Sequence, residues 1–222
     1  MTTRRSFLTI AGAGALLAAS GETRLAGAAA AQRPTTATNA WDLSWVDRLA
    51  GKKHKAVFDS PSFSEGESVF RALLWMDQLK EIYGAAKSDI GAVLVVRHTA
   101  MPLVMNDEYW SRFQVGKRVK MKDPATGRWA TKNPFMTTPP GTPPQFADYN
   151  TPTFMANGGT ILACNIALQQ AVRNFATADK LSHDAAQERA QQHLLPGVIL
   201  QPSGVFAALT AQEAGCSYIL AS

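Results

Sequence analysis

Short apolar stretches alternate with amphipathic ones from residue 52 to the C-terminus, with one interruption. Their lengths and periods predict five strands, at residues 54–58, 92–96, 160–163, 198–200 and 217–220. Residues 92–96 are continuously apolar, which is typical of a central parallel strand covered on both faces. Because strands and helices alternate, we predict an α/β fold with three α/β/α layers and a mainly parallel sheet of about five strands.

The stretches between these strands have the apolar spacing of helices. After the first strand, one helix face carries Val69, Ala72, Met76, Leu79 and Tyr83. Ser64 and Glu67 have the spacing of a capping box before this helix, and Gly84 ends it. Further helices are predicted around residues 168–175, over 180–193 and over 205–214, with a short amphipathic helix within 41–49.

Residues 114–158 interrupt this alternation. Residues 119–122 and 128–131 predict a small β-hairpin around a turn that contains proline and glycine. Six prolines follow between residues 134 and 152, too many for a regular element. We expect this insertion to be either a flap over a site or a subunit contact.

The N-terminus has the features of an export signal. Arg4 and Arg5 precede Phe7 and Leu8, an apolar Gly/Ala-rich run follows, and residues 28–31 are four alanines suited to cleavage. This order resembles a twin-arginine signal peptide. The apolar run is too short for a permanent membrane anchor, which needs roughly 20 residues. We predict a signal peptide at 1–31, a linker and short helix at 32–51, a main domain at 52–222 and a periplasmic location.

Charge and cysteine content exclude several classes of function. Residues 1–31 hold three arginines and one glutamate, so residues 32–222 carry 19 basic and 16 acidic side chains. This mild excess does not indicate a nucleic-acid partner, which requires a clustered basic face. Two cysteines are too few for a disulfide scaffold, and no Cys/His spacing indicates a metal site. No cofactor motif is visible.

Ligands in parallel α/β sheets bind beyond the carboxyl ends of the strands. Four junctions of the predicted fold reach that edge, at residues 59–60, 97–99, 164–165 and 202–203. Cys164 lies between a buried strand and a helix, where the positive helix end favours a nucleophilic thiolate. The alternative is a buried structural cysteine that packs as a small apolar residue.

Other polar residues at the same edge are candidates for supporting roles. His98 could orient, protonate or deprotonate a group beside Cys164, or simply bond to loop backbone. Arg97 could hold an anion or be a solvated strand-end charge, and Asn165 is a further candidate for binding a ligand. Ser203 and Gly204 open a helix whose backbone donors could bind an anion, although Ser203 also suits a plain N-cap.

Cysteine and histidine residues elsewhere are expected to be structural. Cys216 precedes the last strand and therefore lies at the opposite sheet edge, too far from Cys164 for a disulfide. Asp107, Glu108, His183 and His193 show no ligand spacing, and we interpret them as surface or cap residues.

Two stretches resemble the DsrE/DsrF-like family. One runs from the strand at 93–96 through His98 to the residues at 106–109. The other runs from 159 to 168 around Cys164 and continues through Leu-Pro-Gly-Val at 195–198, Pro-Ser-Gly-Val at 202–205 and the residues at 215–219. This resemblance implies a compact α/β/α fold, assembly into trimers or hexamers, and, as in sulfur-relay members, a persulfide carried on Cys164.

Two hypotheses of function follow. In the first, the protein is an exported thiol protein that binds or transfers sulfur, or another small thiol-reactive species, through Cys164. In the second, it is a non-catalytic oligomeric module that binds a ligand or partner, with Cys164 buried and structural. The reactivity of Cys164 in the folded protein distinguishes them.

Overall fold

A computed structural model of the protein describes residues 41–222. The predicted signal peptide at 1–31 and the first part of the predicted linker lie outside the described residues. No helix within the described part of the chain has the length and apolar character needed to cross a membrane.

One five-stranded sheet forms the centre of the fold. Its strands are β1 (His54–Ser60), β2 (Ile90–Val96), β3 (Thr160–Cys164), β4 (Ile199–Gln201) and β5 (Ser217–Leu220). The strand order is β4-β3-β2-β1-β5, and every neighbouring pair is parallel. The predicted α/β class, with a parallel sheet of five strands between helical layers, is confirmed.

Eight α-helices are described around this sheet. They are α1 (Ser44–Asp47), α2 (Glu67–Tyr83), α3 (Asp107–Arg112), α4 (Val115–Arg118), α5 (Thr151–Ala156), α6 (Asn165–Asp179), α7 (His183–Gln192) and α8 (Gly204–Glu213). A 3-10 segment, His98–Val104, follows β2 directly. The predicted helices after the first, third and fourth strands are all present, with ends shifted by a few residues.

The two faces of the sheet support separate cores because side chains alternate along each strand. Phe58, Leu94 and Ile161 belong to the larger core, which is completed by α2 and α6. Val57 and Val93 belong to the smaller core beneath α1 and α8. The short helix expected within 41–49 is thus confirmed, and its Trp45 is fully buried in the smaller core.

The capping box predicted before α2 is wrong. Ser64, Glu65 and Gly66 all have positive φ angles, and Gly66 rather than Ser64 is the N-cap, without a side-chain cap. Packing explains this turn, because a Cβ at Gly66 would lie 2.2 Å from the Phe135 ring. Phe135, which belongs to the insertion, therefore fills the space that a side chain at the N-cap of α2 would need.

The hairpin predicted in the insertion is reduced to one antiparallel bridge, between Lys122 and Trp129. The turn itself is well formed, since Asp123 Oδ1 accepts hydrogen bonds from the backbone N–H groups of Ala125 and Thr126. Lys120 has a φ of 58°, a left-handed conformation that ends an extended strand. The left-handed conformation of Lys120 therefore ends the strand pairing close to the turn, and only the turn and one bridge remain of the predicted hairpin.

Candidate functional site

A cleft of about 890 Å³ lies at the carboxyl edge of the sheet. Among the predicted site residues, its lining includes Arg97, His98, Cys164, Ser203 and Gly204. Three of the four junctions predicted to converge, those at the ends of β2, β3 and β4, therefore line this cleft, whereas Asp59 and Ser60 at the end of β1 do not belong to its lining. A cleft of this volume is within the usual range for sites that bind small molecules.

Cys164 is the last residue of β3 and the N-cap of α6. Its Sγ accepts a hydrogen bond from the backbone N–H of Ala167 at 3.4 Å. The residue is 5% exposed, so most of its surface is packed against neighbours. The sulfur thus lies at the positive end of a 15-residue helix and on the cleft wall at once.

His98 lies at the cleft because the chain turns sharply after β2. Its φ is 52°, and it begins the 3-10 segment that leads away from the sheet. The side chain is exposed and lines the same cleft as Cys164. An imidazole in this position is available to a bound ligand for hydrogen bonding or proton transfer.

Arg97 is held by a buried carboxylate. Its Nε and Nη2 each donate to Asp59 at 2.8 Å, and Asp59 is only 2% exposed. Tyr218 Oη donates to the same carboxylate at 2.7 Å. These bonds raise the pKa of Arg97 and that of Tyr218. Arg97 therefore forms part of the cleft wall with its charge compensated, rather than as a free anion-binding group.

Ser203 and Gly204 begin α8 beside Arg97. Ser203 Oγ accepts a hydrogen bond from the backbone N–H of Phe206 at 3.0 Å, which makes Ser203 the N-cap of α8. A Cβ at Gly204 would lie 2.5 Å from Cδ of Arg97. A glycine is thus required where α8 passes closest to the arginine.

Asn165 is placed differently from the other candidates. Its Oδ1 accepts a hydrogen bond from Gln187 Nε2 at 2.9 Å, so its side chain is directed at α7. The residue does not contribute to the described lining of the cleft. Its hydrogen bond to Gln187 joins α6 to α7.

Sequence reasoning missed two cations of the cleft, Arg118 at the end of α4 and Arg173 in α6. Arg118 belongs to the insertion, and no motif around it indicates a position beside the sheet edge. Arg173 has the polar side of an amphipathic helix as its only sequence signal, which equally indicates solvent. The Asp59–Tyr218 contact also escaped prediction, because it depends on the pairing of β1 with β5.

His193 is the C-cap of α7, so the interpretation of it as a cap residue is confirmed, but it does not lie on the surface. It is 4% exposed, its ring stacks on Phe175 at 4.8 Å, and its Nδ1 lies 3.0 Å from Asn106 Oδ1. Burial lowers its pKa, against the opposing effect of Glu108. The polar composition of α7 resembles that of a surface element, but the ring of its C-cap residue is covered by tertiary packing.

Cys216 is buried in the smaller core, as expected, and both cysteines are free. Burial raises the pKa of the Cys216 thiol to about 11. Within residues 41–222, no group of three or more His, Cys, Asp or Glu side chains is arranged to hold a metal ion.

The fold and site define a three-layer α/β protein with a thiol-containing cleft at the carboxyl edge of a parallel sheet. No protein-family model, curated protein or solved structure matches the chain.

Proposed function

We propose that the protein binds or transfers sulfur, or another small thiol-reactive species, through Cys164. The observation that supports this most strongly is the coincidence of a helix N-terminus, a cysteine sulfur and a ligand-sized cleft at one strand end. The resemblance to the DsrE/DsrF-like family, in whose sulfur-relay members the matching cysteine carries a persulfide, supports the same chemistry.

The proposed step is transfer of one sulfane sulfur atom. The Cys164 thiolate attacks the outer sulfur of a low-molecular-weight persulfide, a new S–S bond forms on Cys164, and the donor's S–S bond breaks. The donor leaves as a thiolate and takes up a proton, so the step needs no external oxidant. His98, on the same cleft wall, is suited to carry that proton.

The backbone around Cys164 supports the charged intermediates of this step. The N–H of Ala167 already bonds to Sγ, and the α6 dipole favours negative charge on the first or second sulfur.

The alternative is a non-catalytic oligomeric module that binds a ligand or a partner, with Cys164 as a structural residue. Two observations favour it. Cys164 is 5% exposed, and apolar side chains are exposed on α8 and on β5, namely Val205, Phe206, Leu209, Tyr218, Ile219 and Leu220. Exposed apolar surface of this kind is typical of subunit contacts. A trimer or hexamer by light scattering is expected under both hypotheses, and a monomer at micromolar concentration contradicts the oligomer.

We also propose that the protein acts in the periplasm after twin-arginine export. The paired arginines at positions 4 and 5 support this. Replacing both by lysine should retain the chain in the cytoplasm, and undiminished export of that variant contradicts the proposal.

The thiol proposal is tested by exposing the folded protein to glutathione persulfide and mapping added sulfur by mass spectrometry. We expect one sulfur atom on Cys164 and none on Cys216. Cys164→Ser should take up none, and Cys216→Ala should behave as the wild type. Unmodified Cys164 under conditions that modify free cysteine favours the binding module.

A further inference from the structure

The cleft beside Cys164 combines apolar walls with positive charge. Its lining includes the apolar side chains of Phe63, Met101, Pro102, Ile166 and Val205. Ile166 and Val205 are 68% and 59% exposed, so apolar surface is accessible to a ligand at the cleft. Such walls favour a ligand with an apolar body.

The charged side chains of the cleft all have one sign. Its described lining contains Arg97, Arg118 and Arg173 and no acidic residue. Arg97 is neutralised by Asp59. Neither Arg118 nor Arg173 forms a salt bridge to any residue between 41 and 222, and Arg173 donates to the neutral amide of Gln170. Two uncompensated cations therefore remain in the cleft.

Backbone dipoles add to this field. Both α6 and α8 begin at the cleft, with Cys164 and Ser203 as their N-caps. The positive ends of two helices thus face the same space as the two arginines. A concave surface of one charge sign with apolar walls concentrates ligands of the opposite charge.

From these observations we infer that the cleft binds a small organic anion, with an apolar body against the walls and its charged group beside Arg118 and Arg173. This inference rests on the proposed function in one respect, namely that the cleft beside Cys164 is the functional site. It does not depend on the chemistry, because the arginines bind the anion whether or not Cys164 reacts. If Cys164 does react, the anion is the carrier of the thiol-reactive sulfur. Arg118 and Arg173 are then binding residues that select among donors.

A matched pair of non-reactive probes tests the inference on the full chain. We choose 4-phenylbutyrate and its neutral amide, 4-phenylbutyramide, with affinity measured by titration calorimetry on the Cys164→Ser variant. The carboxylate should bind about tenfold more tightly than the amide, as expected for two charge-assisted contacts in a partly exposed site. Added salt should reduce this difference.

Arginine variants locate the effect. Arg118→Gln and Arg173→Gln should each weaken carboxylate binding several-fold and leave amide binding unchanged. The matched control is Arg128→Gln, which removes an exposed arginine from the turn of the insertion, outside the cleft lining. Equal affinity for the two probes, no carboxylate binding at millimolar concentration, or equal effects of all three variants would overturn the inference.

A second readout separates this inference from the proposed function. In the wild type, the ratio of the iodoacetate to the iodoacetamide rate at Cys164 should exceed the same ratio for N-acetylcysteine. Resistance of Cys164 to both reagents defeats the thiol function but leaves the calorimetric result valid. Rapid labelling without preference for iodoacetate supports the thiol function and contradicts the anion site.

Discussion

The cleft and the protein interior each contain one cysteine and one histidine, in contrasting environments. Cys164 and His98 line the cleft at the ends of β3 and β2. Cys216 and His193 do not line the cleft and are buried, at 6% and 4% exposure; Cys164 is equally covered, at 5%, so the two cysteines differ in what surrounds the sulfur and not in exposure. Burial favours the neutral form of both interior residues, since it raises the pKa of Cys216 and lowers that of His193.

This comparison shows that position at a strand end, rather than residue type, distinguishes the candidate site. Cys164 ends β3 and is the N-cap of α6, so its sulfur accepts a hydrogen bond from the backbone N–H of Ala167. Cys216 precedes a strand and packs in the smaller core, where burial outweighs the opposing effect of the Lys55 charge on its pKa. The two thiols therefore differ in surroundings: one lies at a helix N-terminus on the cleft wall, and the other lies within the smaller core.

The largest expected effect concerns Asp59, which connects the interior with the cleft wall. Asp59→Asn removes a buried carboxylate from Arg97 and Tyr218. We expect the free energy of unfolding to fall by about 2 kcal/mol, less than for a fully buried pair because Arg97 is 24% exposed. Urea unfolding measures this.

The control for Asp59 is Asp148→Asn, the same chemical change on an exposed loop residue. It should alter the stability by less than about 0.5 kcal/mol. Equal stability of the two variants would mean that the Asp59 contacts do not stabilise the fold.

A smaller effect is expected for His193, through the pH dependence of stability. The unfolded chain binds a proton at this histidine near pH 6.5, whereas the folded chain binds it only at lower pH. The stability contribution is therefore complete above about pH 6.5 and is lost as the pH falls below it. Thermal unfolding between pH 5 and 7 should show a weaker loss in His193→Gln than in the wild type.

His183 provides the matched control, because its side chain is 69% exposed. His183→Gln should follow the wild-type profile between pH 5 and 7. Parallel profiles for all three proteins would show that burial of His193 does not oppose its protonation.

The smallest expected effect concerns His98. His98→Asn removes the imidazole but retains a residue type that tolerates the left-handed φ of 52°. Alkylation of Cys164 should slow by on the order of threefold, through loss of a cationic or hydrogen-bonding partner in the cleft. Thr99→Ala, at the next cleft position, should leave the rate unchanged. If Cys164 is alkylated at the same rate in His98→Asn as in Thr99→Ala, His98 has no role in activating the thiol.

The sheet was predictable from sequence because continuous apolar strands such as residues 92–96 are distinctive, and the parallel topology brings their ends together. The location of Cys164 followed from that alone. Contacts between distant parts of the chain were not predictable, as shown by Asp59 with Tyr218 and by Gly66 with Phe135. The cleft cations Arg118 and Arg173 also depend on how the insertion and α6 pack, which local sequence does not encode.

The most direct test of the central claim is peptide-resolved alkylation of the native protein with iodoacetamide at neutral pH. Cys164 should react on the order of 100-fold faster than Cys216, because burial raises the pKa of the Cys216 thiol to about 11 and leaves that residue with very little thiolate at neutral pH. Denaturation should make the two rates equal. If Cys164 instead remains as unreactive as Cys216 until the protein unfolds, the thiol is structural and the claim that it serves the cleft is wrong.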